Sequence, residues 1–285
     1  MEIFGEISPL KAFLADQKKL GKTVGLVPTM GALHEGHLAL LRESLSSQDL
    51  TVCSIFVNPA QFNNVDDLKR YPRPLEKDVE MLEKVGCQVL FVPGEHEMYP
   101  EHHLTHFSFG HLDQEMEGQF RPGHFAGVAL VVSKLFNIVE PDAAYFGQKD
   151  WQQFIIIRQI VRDLNFTVRL VCVPTVRELD GLALSSRNTR LNPALRPKAT
   201  ALYQSLEKVK KSLLEGVSVI EAKRGVKKLF YDQPEITLEY FHVVDSENLE
   251  PLSNVEEASR PILCIAAYVG EIRLIDNMFL DLHEL

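Results

Sequence analysis

The sequence is poor in cysteine and poorer in tryptophan, with four and one among 285 residues. The cysteines, Cys53, Cys87, Cys172 and Cys264, are scattered and form no CxxC pair. That spacing argues against a zinc knuckle or a disulfide framework and for reduced thiols in a cytoplasmic protein. No apolar run approaches the roughly 20 residues that span a bilayer. The N-terminus, MEIFGEISPLKAFLADQKKLGK, lacks a basic flank followed by an apolar stretch, so no signal peptide is read. Basic residues do not dominate. Lys and Arg number 30 against 39 Asp and Glu, a net charge of −9, which speaks against a nucleic-acid partner. Two nucleotide-binding signatures are also missing: there is no GxxxxGK[ST] and no strand-following GxGxxG.

What is present reads as a soluble α/β chain. Apolar residues make up 45% and charged residues 24%, enough for a sizeable core. Short apolar runs (TVGLVP, LTVCSIFVN, CQVLFVP, AAYFG, TVRLVCVP) alternate with helical patterns such as GHLALLRESLSSQ, PLEKDVEMLEKVG and DWQQFIIIRQIVRDLN. Continuous apolar strands between helices predict a Rossmann-like parallel sheet covered on both faces. From residue 174 the chain turns polar and rich in Arg and Pro, which places a boundary at 175/176. Residues 1–175 are expected to form the Rossmann-like domain. Residues 176–285, with two helical stretches and three strand-like ones, are expected to form a smaller α+β domain closing over the nucleotide.

Ligands of open parallel sheets bind beyond the carboxyl ends of the strands. In this chain PTMGALHEGH, NPAQF, GQKDWQQ and PTVRE stand at those positions. The first holds His34 and His37. They can hold a metal, hold a phosphate, or fall at an ordinary strand-to-helix turn. A zinc protease needs HExxH; here the spacing is one residue short and no third ligand stands nearby. A turn into a helix presents free N–H groups to an anion, Gly31 and Gly36 permit close approach, and the imidazoles add donors that can carry charge. Phosphate is the reading these residues support best. Taken alone, Lys149 reads as a solvated lysine, Ser185-Ser186-Arg187-Asn188 as a cap or turn, Gln61 and Gln153 as surface amides, and Asp78 as the wet face of an amphipathic helix. The histidines of EHEMYPEHHLTHF, His96, His102, His103 and His106, read as a polar loop, and RPGHF at 121–125 as a mobile one.

TMGALHEGH resembles the HxGH signature of the nucleotidyltransferase superfamily. With FVNPAQF, YPR, RPGHFAGVALVVSKLFNIVEPDAAYFGQKDWQQ, VPTVRELDGLALSSRN and RLIDN in that order, the chain resembles the pantothenate synthetase (pantoate–β-alanine ligase) family from about residue 22 to 277. The resemblance implies ATP-dependent condensation of pantoate with β-alanine through a pantoyl adenylate, in a cytoplasmic homodimer. It implies ATP contacts at Met30, Gly31, His34, Gly36, His37, Gly147, Gln148, Lys149, Asp150, Val176, Leu184, Ser185, Ser186 and Arg187. Catalytic donors would be His34, His37, Lys149, Ser185, Ser186 and Arg187. Pantoate would meet Gln61, Gln153, Asn58 and Met30, and Mg²⁺ would be associated with Asp78. The family commonly has Met where Leu184 stands, a volume-conserving change. Rival readings are another HxGH nucleotidyltransferase and a non-catalytic nucleotide or metal binder.

Overall fold

A computed structural model describes residues 1–281. The chain divides into two compact units. The first comprises Met1–Gln148 and Gln152–Pro174; the second joins Lys149–Trp151 to the chain from Thr175 onward. The short segment after strand AAYFG thus groups with the later residues.

The first unit is built on six parallel strands: β1 (Glu2–Phe4), β2 (Val24–Thr29), β3 (Leu50–Ile55), β4 (Val89–Phe91), β5 (Ala143–Gly147) and β6 (Arg169–Val173). Five of these follow the apolar runs; β1 has no such run to announce it. Its three residues are too short to show a period, and it pairs at the sheet edge with β4. The helices, in chain order, are α1 (Ile7–Lys19), α2 (Glu35–Ser47), α3 (Val65–Arg70), α4 (Leu75–Val85), α5 (Glu95–Met98), α6 (Glu117–Phe120), α7 (His124–Val139) and α8 (Trp151–Asp163). The strand order is β1-β4-β3-β2-β5-β6. The chain steps one way from β2 through β3 to β4, then crosses to β5 and β6 on the other side. The switch point therefore lies between β2 and β5, where doubly wound sheets open a crevice at the strand carboxyl ends. The PTMGALHEGH segment leaves β2 there.

Parallel strands need both faces covered. Val27, Leu41, Cys53, Leu82, Leu90 and Tyr145 form one apolar cluster. Burying one such Leu contributes about 1.5–3 kcal/mol. Cys53 and Cys87 lie inside. Burial pushes both thiols up, Cys87 to about 11, so neither serves as a nucleophile near neutral pH.

The second unit contains α9 (Ala201–Leu214) and α10 (Val219–Tyr231) with an antiparallel sheet of β7 (Ile236–Asp245), β8 (Pro261–Val269) and β9 (Ile272–Phe279). Ser218 starts α10 with a capping box to Glu221. Leu206, Val226, Val243 and Leu263 are among the residues of its own core. Trp151 belongs here: its indole N–H donates to the Ser246 carbonyl at 3.1 Å, and its ring meets Phe279 edge-on.

Candidate active site

In the first unit, α2 begins immediately after a tight turn at residues 30–33. Gly31 has φ +80° and Ala32 φ +51°. Two successive left-handed residues aim consecutive N–H groups at one point, an arrangement that accepts an anion. Here the anion is internal. Asp78 accepts from Ala32 N–H and Leu33 N–H, each at 2.8 Å. A Cβ on Gly31 would lie 3.0 Å from Asp78 Oδ2 and 3.1 Å from Ile55.

His34 is the N-cap of α2. Its Nδ1 accepts from Gly36 N–H at 3.1 Å, and His37 Nδ1 accepts from His34 N–H at 3.3 Å. The rings lie with centroids 4.0 Å apart. With Nδ1 accepting, the ring proton sits on Nε2. Each neutral imidazole therefore carries its donor on the edge away from the backbone. Charging a ring would cost a helix-start hydrogen bond, so these are donors first.

A second cluster stands beyond β3. Asn58 Oδ1 accepts from Ala60 N–H and Tyr99 O–H, the latter at 2.8 Å. Asn58 Nδ2 then donates to Gln61 Oε1 and to the Gly127 carbonyl, both at 3.1 Å. Asn58 is thereby locked, and Gln61, its oxygen accepting from Asn58, donates through its NH₂ to the Met30 sulfur at 3.1 Å. Gly127 is required for close approach: a Cβ there would sit 2.1 Å from the Ala60 carbonyl oxygen. His124 Nδ1 lies 2.9 Å from the Gln61 carbonyl. Sequence reasoning does not single out Tyr99, His124 or Gly127. The RPGHFAG run was the available signal, but its middle is the start of α7, capped by Gly123, not a loop.

The two glutamines of KDWQQ separate clearly. Gln152 is buried and spent on the Leu112 and Glu115 carbonyls and the Glu117 N–H. Gln153 is half-buried with no such bonds among the described residues. A cavity of about 280 Å³ opens beyond the ends of β2, β3 and β4, lined by Met30, Gly31, Phe56, Arg73, Asp78 and Glu95 among others. His34, His37 and Gln61 are not in its lining.

The expectation of Asp78 as a magnesium-associated carboxylate fits its surroundings poorly. It is 1% exposed and both oxygens already accept backbone N–H groups. Burial raises its carboxyl above the usual range, against the pull of those bonds. Nor is it the wet helix face that its period allowed. The four histidines near residue 100 are not spent alike: His103 lies tilted against Tyr99 and His102 and meets His106 edge-on.

In the second unit, residues 176–184 form a hairpin-like turn, with Glu178 N–H on Leu182 O and Leu184 N–H on Val176 O. Arg177 pins it through a bidentate pair to Asp276, at 2.6 and 2.9 Å, and a bond to the Asn277 carbonyl. Thus VRELDG and RLIDN, 99 residues apart at this pair, are one device. Ser185 caps the 3-10 turn Ser186–Arg190, its hydroxyl accepting from Arg187 N–H. Lys149 is held through its carbonyl, which accepts from Asn277 Nδ2 at 2.8 Å, and its ammonium lies 3.7 Å from Asp150.

The family model described as pantoate-beta-alanine ligase matches residues 2–279. The chain belongs to the pantoate–β-alanine ligase family. It is 46% identical over 278 residues to pantothenate synthetase of Bacteroides thetaiotaomicron, covering 98% of each chain. It is 47% identical to that of Thermosipho africanus, covering 98% of this chain and all of the other. Among solved structures, the pantothenate synthetase of Thermus thermophilus superposes with a TM-score of 0.92 at 45% identity, covering 98% and 99%. The ligase from Francisella tularensis, complexed with Beta-gamma ATP and Beta-alanine, gives 0.83 at 33% identity, covering 99% and 98%. Membership carries the reaction: the chain is an ATP-using enzyme that joins pantoate to β-alanine through an amide bond. The Rossmann-like reading of the first half agrees with these structures.

Proposed function

We propose that the ligation proceeds through a pantoyl adenylate, with the paired imidazoles of the β2–α2 turn as the main donors of the first unit. A pantoate carboxylate oxygen attacks the α-phosphorus of ATP, the bond to the bridging oxygen breaks, and pyrophosphate leaves. The β-alanine amine, having lost a proton, then attacks the acyl carbon, and AMP leaves with both its phosphoryl oxygens and the former carboxylate oxygen. Neither step needs a protein nucleophile. Both need charge on phosphoryl oxygens to be met by fixed donors. The single observation that carries this reading is the pair of Nδ1-anchored rings at a helix N-terminus, which puts an Nε2–H donor on the outer edge of each.

Lys149, Ser185, Ser186 and Arg187 are assigned the same chemistry, donation to phosphate oxygens, with Gly147, Gln148, Asp150, Val176 and Leu184 as nucleotide contacts. Gln61, presented as an NH₂ donor by Asn58, is assigned to pantoate oxygens, with Gln153 and Met30 beside it. Mg²⁺ would come with ATP. It would be held chiefly by phosphate oxygens and water, since among the described residues no group of three or more His, Cys, Asp or Glu stands as a ready-made metal cage. The reading includes a homodimer in the cytoplasm, checked by sedimentation and fractionation.

The decisive assay is pyrophosphate–ATP exchange with and without pantoate, beside AMP release with both substrates. Exchange independent of pantoate would favour the other nucleotidyltransferases; binding without turnover would favour a sensor. His37→Ala is expected to slow exchange by about 100-fold or more with the melting temperature retained. Near-normal exchange would remove the imidazole from the phosphate role.

A further inference from the structure

We propose that Asp78 is a positioning residue, its carboxylate filling the anion-accepting turn at residues 31–33 and so fixing where α2 starts and where His34 and His37 point. The inference deepens the reading of those histidines as phosphate donors and rests on it.

Four observations converge. Asp78 stands in the first turn of α4, which Leu82 seats in the core beneath α2. Its two oxygens reach two consecutive N–H groups at equal length, so the carboxylate is used as a fork. The turn that it grips holds a non-glycine residue, Ala32, at positive φ, a conformation that costs an alanine roughly 1–2 kcal/mol and persists only when the surroundings hold it. Gly31 comes so close to Asp78 Oδ2 that a Cβ there would lie 3.0 Å from it and force the carboxylate or the turn to shift, at a positive φ that already disfavours a side chain. The next residue after the gripped N–H groups is His34. Any rotation of Ala32 or Leu33 is passed directly to the helix cap, and through the His34 N–H to His37 Nδ1.

An anionic substrate group cannot use this turn while Asp78 occupies it. The turn is a bearing for the histidines rather than a phosphate seat, and the metal association expected from the resemblance gives way to a backbone one.

The test is Asp78→Asn. The amide keeps the size but offers one acceptor and places an NH₂ against a backbone N–H. In the ligand-free protein, the imidazole ¹⁵N signals of His34 and His37 are expected to move while the other histidine rings keep theirs. Pantoate-dependent exchange should fall by about 100-fold in kcat, the scale of an ångström-sized misplacement. The half-saturating Mg²⁺ concentration and KM for pantoate should stay unchanged. Rate recovery at high Mg²⁺ would overturn the proposal in favour of a metal ligand. Unmoved ring signals would also overturn it, as would near-normal exchange with moved rings if His37→Ala is inactive. Should Asp78→Asn not fold, Gly31→Ala is expected to give the same ring shifts and the same kcat loss, and unmoved rings there are equally fatal. Moved rings in Asp78→Asn together with an active His37→Ala would sink the phosphate reading alone. Unmoved rings with an inactive His37→Ala would sink the positioning role alone.

Discussion

The segments assigned to substrate in the two units are anchored by opposite means. In the first unit, the β2–α2 turn and the Asn58–Gln61 cluster are held by neutral donors: backbone N–H groups on Asp78, a phenol on Asn58, an amide on Gln61. In the second, residues 176–190 are held by guanidinium groups. Arg177 pairs with buried Asp276, and Arg196 reaches Glu178 and Asp180. Both ways use a carboxylate to fix a loop, yet they load the fold differently. A carboxylate on N–H groups keeps its charge without a counter-cation and tolerates a small geometric change badly. A bidentate pair brings its own compensation, and removing one side leaves a buried charge alone.

This contrast can be pressed at three strengths. Arg177→Ala should be the costliest change, about 3–5 kcal/mol, because Asp276 is 4% exposed and loses its fork. Chemical denaturation monitored by Trp151 fluorescence would report it, since that indole belongs to the same unit. A loss below about 1 kcal/mol would mean the pair is dispensable and the contrast is false. Gly127→Ala comes next, at about 1–3 kcal/mol of overpacking. Its Cβ meets the Ala60 carbonyl, so KM for pantoate should rise while KM for ATP holds. Equal shifts in both would show that α7 sets more than the Gln61 position. Tyr99→Phe is the mildest, at about 1 kcal/mol, the worth of one neutral hydrogen bond. Asn58 keeps Ala60 N–H on Oδ1, so a several-fold rise in KM for pantoate is the expected sign. The phenol is pushed up to about 12 by burial, so it stays a donor throughout the assayable range.

The sequence made the local features plain. Strands β2 to β6 are visible as apolar runs, and the HxGH turn and the SSRN loop as strings whose chemistry is written in adjacent letters. What stayed hidden was the support. Asp78 looks like any polar residue on an amphipathic helix, because its partners lie 45 and 46 residues earlier. Gly127 sits in a mostly apolar helix pattern where nothing marks the carbonyl it must clear. The RPGHF run reads as a loop through its Pro and Gly, but Gly123 spends its positive φ on starting α7. Of the two adjacent glutamines in KDWQQ, periodicity does not tell the scaffold amide from its neighbour. Edge strand β1 is three residues long and needs its β4 partner to exist at all.

The placement of Trp151 bears on how the chain can be cut. A fragment beginning at Thr175 looks like a natural module, yet it would lack the indole that donates to Ser246 and covers Phe279. Such a piece would start life with an indole-sized hole against β9, and deletions of that size cost about 3–5 kcal/mol. The genetic order and the packing order of this protein disagree by one short segment, and any split or transplanted version must carry Lys149–Trp151 across the cut.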